Sequence, residues 1–311
     1  MQGQVDENSG MIVLEEKNLR VVIDPQQGGK IRSLYSRRTG IEYLYQDSRT
    51  NIPPGSGYGN HDISGFDECF PTVHPCTYPD GPRQGLELGD HGLLWQQPWE
   101  SEIGDGQVTM RCTVPRLRCD FKRTCQIDSG AVLTLDYQIT NHDQQPLKFI
   151  YSAHPLLAAG RDTHFVLPDD VNDVYVYYVA NATGIPQNSW ITWPPSQEEN
   201  FLAPYSTNRH SCLKAYSRPL GTGRAAVRHA DHGERLQFDF DPAELPHLGI
   251  LISQGFDEDP AGDFAGELIL ALEPTTGIGD DLLTCEQTGT TAQLAPHQTK
   301  SFRIQLSLVD D

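Results

Sequence analysis

The chain has 311 residues, 37% of them hydrophobic and 21% charged, which excludes a disordered chain and leaves ample material for a large core. Its formal net charge is -19 at pH 7. Binding to a phosphate backbone needs dense Lys and Arg clusters, and this chain has none, so neither nucleic acid nor an anionic membrane is an expected partner.

The predicted elements are short strands and turns from end to end. Met11–Glu16 and Leu19–Asp24 are alternating runs, and Gly28-Gly29 turns the chain into Lys30–Tyr35. Arg38-Thr39-Gly40 turns it again into Ile41–Tyr45. From about Asn51 to Gly92 the sequence is rich in Gly, Pro, His and Asp with little periodicity, the kind of long irregular stretch that is more often functional than idle. Strands resume at Trp99–Ile103, Gln107–Val114, Phe121–Ile127 and Ala131–Ile139. Phe149–His154 is the next strand, with Pro155 as its expected end. A second irregular stretch runs from about Ala180 to Asn208, and Leu268–Leu272 and Lys300–Val309 are late strands. No helix beyond two or three turns is expected, and no linker splits the chain. The reading is one all-β domain over residues 1–311, built from two large packed antiparallel sheets.

Seven cysteines, an odd number with no C-x-x-C pair, argue against both a disulfide framework and a structural zinc site. Free thiols in a reducing cytosol are the expectation, with Cys69 closest to the candidate site. No apolar run approaches a membrane span, and the first residues lack a basic and then apolar leader pattern, so a cytoplasmic location is expected.

Three residues carry acid/base chemistry. Glu273, in Leu272-Glu273-Pro274, ends an apolar run beside a rigid proline. His91 stands in Asp90-His91-Gly92, and His154 in Ala153-His154-Pro155. A carboxylate and two histidines from separate strands form an acid/base site if they converge; taken singly, each reads more readily as an ordinary polar residue at a strand edge.

In chain order, these motifs resemble the aldose 1-epimerase (galactose mutarotase-like) superfamily. Gly28-Gly29-Lys30-Ile31 with Arg38–Glu42 is similar to its opening hairpin, Asp90-His91-Gly92-Leu93-Leu94 to its first histidine motif, and Ser152–Leu157 to its second. Leu270–Pro274 resembles the strand bearing the family's catalytic glutamate, and Leu294–Lys300 its final turn. The resemblance implies a β-supersandwich of large antiparallel sheets and an isomerase that interconverts sugar anomers by ring opening. Glu273 would be the base, His154 the acid, and His91 would orient the sugar. No cofactor and no metal is implied; a His61, Asp67, Glu68 and His74 cluster has no recognised ligand spacing. The implied partner is a small-molecule carbohydrate, bound by a monomer or homodimer. Trp193 and Trp95 are candidate sugar platforms, and His61, Asp67 and Glu68 candidate contacts to hydroxyls, with core packing and a loop hydrogen-bond network as the alternatives.

The departures lie upstream of the first histidine. Where the family usually carries a substrate-contacting arginine, the chain reads Gly65–Pro71 with the acidic pair Asp67 and Glu68, and Arg83 is the nearest downstream arginine. The family's substrate-binding aspartate is open among Asp169, Asp170, Asp231 and Asp239. Three alternatives therefore stay open: a non-catalytic carbohydrate-binding protein, a phosphosugar epimerase, and an isomerase or lyase of oxidised sugars that uses Asp67 and Glu68.

Overall fold

In a computed structural model, residues 2–310 are described apart from 7, 48–56, 105, 161–162, 182–183, 195–210, 230–231 and 255–267. Asp231 and most of the second irregular stretch thus lie outside the described residues. Two large antiparallel sheets dominate. The first has eleven strands in the order Gln2–Val5, Ile12–Glu15, Leu19–Asp24, Lys30–Ser36, Phe66–Cys69, Ser152–Ala158, Leu268–Thr275, His247–Gln254, Ser211–Ser217, Asp173–Ala180 and Ser189–Thr192. The second has eight, in the order Thr163–Val166, Arg224–His229, Glu234–Phe240, Thr299–Asp310, Val132–Asn141, Cys119–Ile127, Gln107–Val114 and Glu100–Gly104. Among the described residues there is one α-helix, Leu282–Thr288, and no helix long and apolar enough to cross a membrane.

Side chains alternate across each strand, so one parity of residues faces each side. In the second sheet, Leu133, Leu135, Tyr137 and Ile139 point inward while the residues between them are partly exposed. In the first sheet, Leu157, Leu270, Leu272, Ile250, Ile252 and Leu213 belong to the same buried cluster as Phe121, Leu133, Leu135 and Ile304. The main core therefore lies between the two sheets, as the alternating runs predict. All seven cysteines are unpaired, and six of them are buried.

Two of the expected strands differ from the structure, and the stretches read as irregular contain the strands Phe66–Cys69 and Ser189–Thr192. Ile41–Tyr45 is not a strand; it makes only the isolated bridges Tyr35–Glu42 and Leu44–Leu157, because the Glu42 carboxylate accepts the Leu34 and Leu44 amides that a ladder would otherwise use. The Phe149–His154 run is divided, with Leu147–Phe149 in a separate small sheet and Ser152–Ala158 continuing through Pro155. Pro155 is tolerated because the pairing with Leu268–Thr275 skips residues 153–155 and resumes at Leu156–Ala271. Proline has no amide hydrogen to give, and Pro155 and Pro274 both lie in this interruption.

Candidate functional site

The other face of the first sheet, turned away from the main core, gathers the polar groups. Strand parity places Asp67 and Cys69, His154, Glu273, and Lys214 and Tyr216 on that face. The register of the central pair, carried through the interruption, sets His154 opposite Glu273. Cross-strand partners lie about 5 Å apart. His154 also pairs directly with Asp67. Tyr58, Ile63 and Trp95 fold over this face and form a second apolar cluster with Leu156, Ile269 and Ala271. This cover buries most of the site, which strengthens the charge interactions within it.

Glu273 is fully buried, and both its oxygens lie 2.5 Å from Lys214 Nζ. Ser152 Oγ donates to it at 3.2 Å. Lys214 reaches Glu273 from two strands away, across His247–Gln254, and Gly249 leaves the room. A Cβ on Gly249 would lie 3.1 Å from the Glu273 Cβ and 3.2 Å from Tyr216. Lys214 is also 3.7 Å from Asp280, which accepts the Tyr216 hydroxyl. Burial pushes the Glu273 carboxyl up, against the downward pull of Lys214. Burial alone would pull Lys214 down, but Asp280 and Glu273 hold it above its ordinary value.

His91 is set by a tight turn. Its φ is 56° and that of Gly92 is 77°, and a Cβ on Gly92 would run into the Phe70 carbonyl. Asp90 Oδ1 is 2.8 Å from His91 Nδ1, a contact that orients the ring. The His91 ring stacks on Tyr58 at 3.7 Å and meets the His154 ring edge-on at 4.6 Å. Burial drives His154 well below the ordinary histidine value, and His91, Lys214 and Lys30 push the same way, so its imidazole is neutral at neutral pH. A polar chain closes one side of the pocket: Tyr58 donates to Asp67 at 2.6 Å, and Lys30 pairs with Asp67 at 3.0 Å.

The structure thus brings Glu273, His154, His91 and Asp67 together, with Trp95 and His61 at the margin. Trp95 packs edge-on against Tyr58 at 5.3 Å and donates its indole N–H to the Asp90 carbonyl, and His61 meets Trp95 at 4.7 Å. Glu68, Arg83 and Trp193 are placed elsewhere. Glu68 follows Asp67 by one residue and so faces the opposite way, between the sheets, where it accepts from Arg123 at 2.6 Å, Tyr137 at 2.9 Å and Tyr151 at 2.7 Å. The two acids are therefore not a functional pair. Arg83 is buried by the 143–147 turn, donating to Asp143 and to the carbonyls of Pro146 and Leu117. Trp193 packs into the main core rather than against the site.

Lys214, Tyr216, Asp280, Tyr58 and Lys30 are site residues that sequence reasoning did not single out. The sequence offers only a partial signal: Lys214 is the one charged residue in Ser211–Ser217, and the structure buries every position of that run, where a lysine needs a buried partner. Nothing local names that partner as Glu273, 59 residues away.

No family model matches the sequence, and no curated protein matches it. Solved structures do. A protein from Synechocystis sp. PCC 6803 superposes with a TM-score of 0.74 at 16% identity, covering 97% of this chain and 96% of that one. A galactose mutarotase-like protein from Lactobacillus casei ATCC 334 gives 0.65 at 15% identity, covering 96% and 100%. A galactose mutarotase related enzyme from Lactobacillus acidophilus gives 0.65 at 16% identity, covering 96% and 97%. At these identities the likeness is one of fold, and the chain has the all-β galactose mutarotase-like fold.

Proposed function

We propose that this protein is an aldose 1-epimerase that interconverts the anomers of a free sugar by acid/base ring opening. The observation that carries the reading is the convergence of Glu273, His154 and His91 over one largely buried face of the eleven-stranded sheet. In ring opening, Glu273 takes the proton of the C1 hydroxyl while the ring oxygen receives a proton and the bond between C1 and that oxygen breaks. The open-chain aldehyde turns about C1–C2 and closes on its other face by the reverse transfers. The raised pKa of Glu273 favours a base that works nearer neutrality than an ordinary carboxylate.

The acid role moves relative to what the resemblance implies. His154 is neutral, and a neutral imidazole is a hydrogen-bond partner for the sugar rather than a proton source. His91, oriented by Asp90 and partly open to solvent, carries the proton to the ring oxygen. Tyr58 and Trp95 supply aromatic surface for the apolar side of a sugar. A phosphosugar is disfavoured, because Lys30 and Lys214 are already paired with Asp67 and Glu273.

One observation favours a second reading, a carbohydrate-binding protein without turnover: Lys214 lies against both oxygens of the proposed base. Proton NMR exchange between anomers, over a panel of free, deoxy, acidic and phosphorylated aldoses, separates the two. Exchange above the uncatalysed rate in wild type and not in Glu273→Gln supports the epimerase. Sugar binding without accelerated exchange replaces it with the binding protein.

A further inference from the structure

Ring opening gives no part to Cys69. Cys69 is fully buried on the same strand face as Asp67. Its Sγ, one ring nitrogen of His91 and one of His154 all lie within 4.8 Å of one another. We infer that Cys69, His91 and His154 form a three-ligand site for a thiophilic cation of the Zn2+ class.

The donor set selects the ion. One sulfur and two imidazoles suit zinc and its neighbours, whereas calcium and magnesium take oxygen ligands. Metal–ligand bonds of 2.0–2.3 Å put tetrahedral donor atoms about 3.5 Å apart, so the triangle closes with side-chain shifts of about an ångström. Three protein ligands leave the fourth position of a tetrahedral ion to water or another donor.

Two further observations point at a ligand. Asp90 Oδ1 is 2.8 Å from His91 Nδ1, the kind of outer carboxylate contact that orients a metal-ligating histidine whose other ring nitrogen is the donor. His154 Nδ1 is buried with no hydrogen-bond partner, an arrangement that costs free energy unless something completes it. Asp67 pairs with Lys30 and Glu273 with Lys214, which offsets part of the repulsion these ammonium groups exert on a cation beside His154. Burial holds the Cys69 thiol protonated in the metal-free protein; on binding, the metal–sulfur bond replaces the S–H bond and the proton leaves to solvent.

Metal there ties up both histidines, so zinc competes with sugar and stops anomer exchange. That consequence rests on the functional reading above; the binding itself does not.

The test is an anaerobic titration of the reduced full chain with Co2+ as a spectroscopic substitute for zinc. The expected result is saturation at one equivalent, with near-ultraviolet sulfur-to-cobalt charge transfer and the intense visible bands of tetrahedral cobalt, both abolished by added zinc. Cys69→Ser removes the charge-transfer band, whereas Cys76→Ser retains it. Absence of that band in wild type, or its persistence in Cys69→Ser, overturns the site. His91→Asn, chosen because asparagine tolerates the same positive φ, provides an independent variant if Cys69→Ser does not fold. It is expected to weaken cobalt binding by about tenfold or more, as losses around a metal centre typically do, and unchanged affinity overturns the site. If metal-free wild type shows no anomer exchange on any sugar, the epimerase reading fails while the cobalt spectrum still decides the metal site.

Discussion

Removing Lys214 tests the electrostatics of the pocket most directly. In Lys214→Met, Glu273 keeps its buried position and its bond from Ser152 but loses the cation that touches both oxygens. Breaking one half of a buried ion pair typically destabilises by about 3–5 kcal/mol. Protonation is the cheapest escape, since each unit by which the Glu273 pKa rises costs about 1.4 kcal/mol only where the carboxyl would otherwise be ionised. The sign follows. A carboxyl whose folded pKa lies above its unfolded value contributes stability below the unfolded value and loses it as pH rises through the folded value. The deficit of Lys214→Met relative to wild type is therefore expected to approach the full figure at about pH 8 and to shrink toward about pH 5. Lys214→Met/Glu273→Gln removes both charges and is expected to recover most of the loss, though not all, because Asp280 keeps its own carboxylate 3.7 Å from the missing ammonium. Urea unfolding of the four proteins across pH gives each term and the coupling between them. The acidic limb of the anomer-exchange rate moves upward in the single variant if Glu273 is the base. A Lys214→Met deficit below about 1 kcal/mol, or one that does not change with pH, would refute the reasoning.

Three more predictions follow from particular contacts. His154, His229 and His247 all have folded pKa values pulled below the ordinary 6.5 by burial. Their contribution is complete above that pH and is lost as pH falls toward the folded values, by at most about 1.4 kcal/mol per pH unit for each histidine, so thermal unfolding shifts down below pH 6.5. Glu273 opposes this between 4.5 and its raised value, so the fall steepens in Glu273→Gln; an unchanged slope there contradicts the raised pKa. Arg123→Met strands the Glu68 carboxylate between the sheets and is expected to destabilise by about 3–5 kcal/mol in denaturant titration. Anomer exchange per folded molecule stays at the wild-type rate, and its loss would put Glu68 back in the site. Gly249→Ala pushes a methyl against Glu273 and Tyr216, costing about 1–3 kcal/mol and slowing exchange; a fully active variant of wild-type stability would show that the Lys214–Glu273 pair does not need that opening.

Much of this protein is legible in one dimension. Alternating runs such as Val132–Asn141 and Gln107–Val114 announce half-buried strands, because a period of two is the only pattern that buries one face of a sheet. Glu273, His154 and His91 stand out for a local reason as well: each is a titratable side chain held in a turn or beside a proline. What the sequence does not contain is which strands lie side by side. Phe66–Cys69 and Leu268–Thr275 flank Ser152–Ala158 although they are some 200 residues apart, and only that order turns three isolated motifs into one pocket. Parity, read one strand at a time, separates Asp67 from Glu68, but it took the partner sheet and its Arg123 to decide which acid faced the core. Lys214 is the clearest case. Its run Ser211–Ser217 carries no other charge, and only the strand order that sets it two strands from Glu273, with Gly249 opposite that residue, makes its charge part of the site, because a buried ammonium is tolerable only where the fold delivers a carboxylate to it.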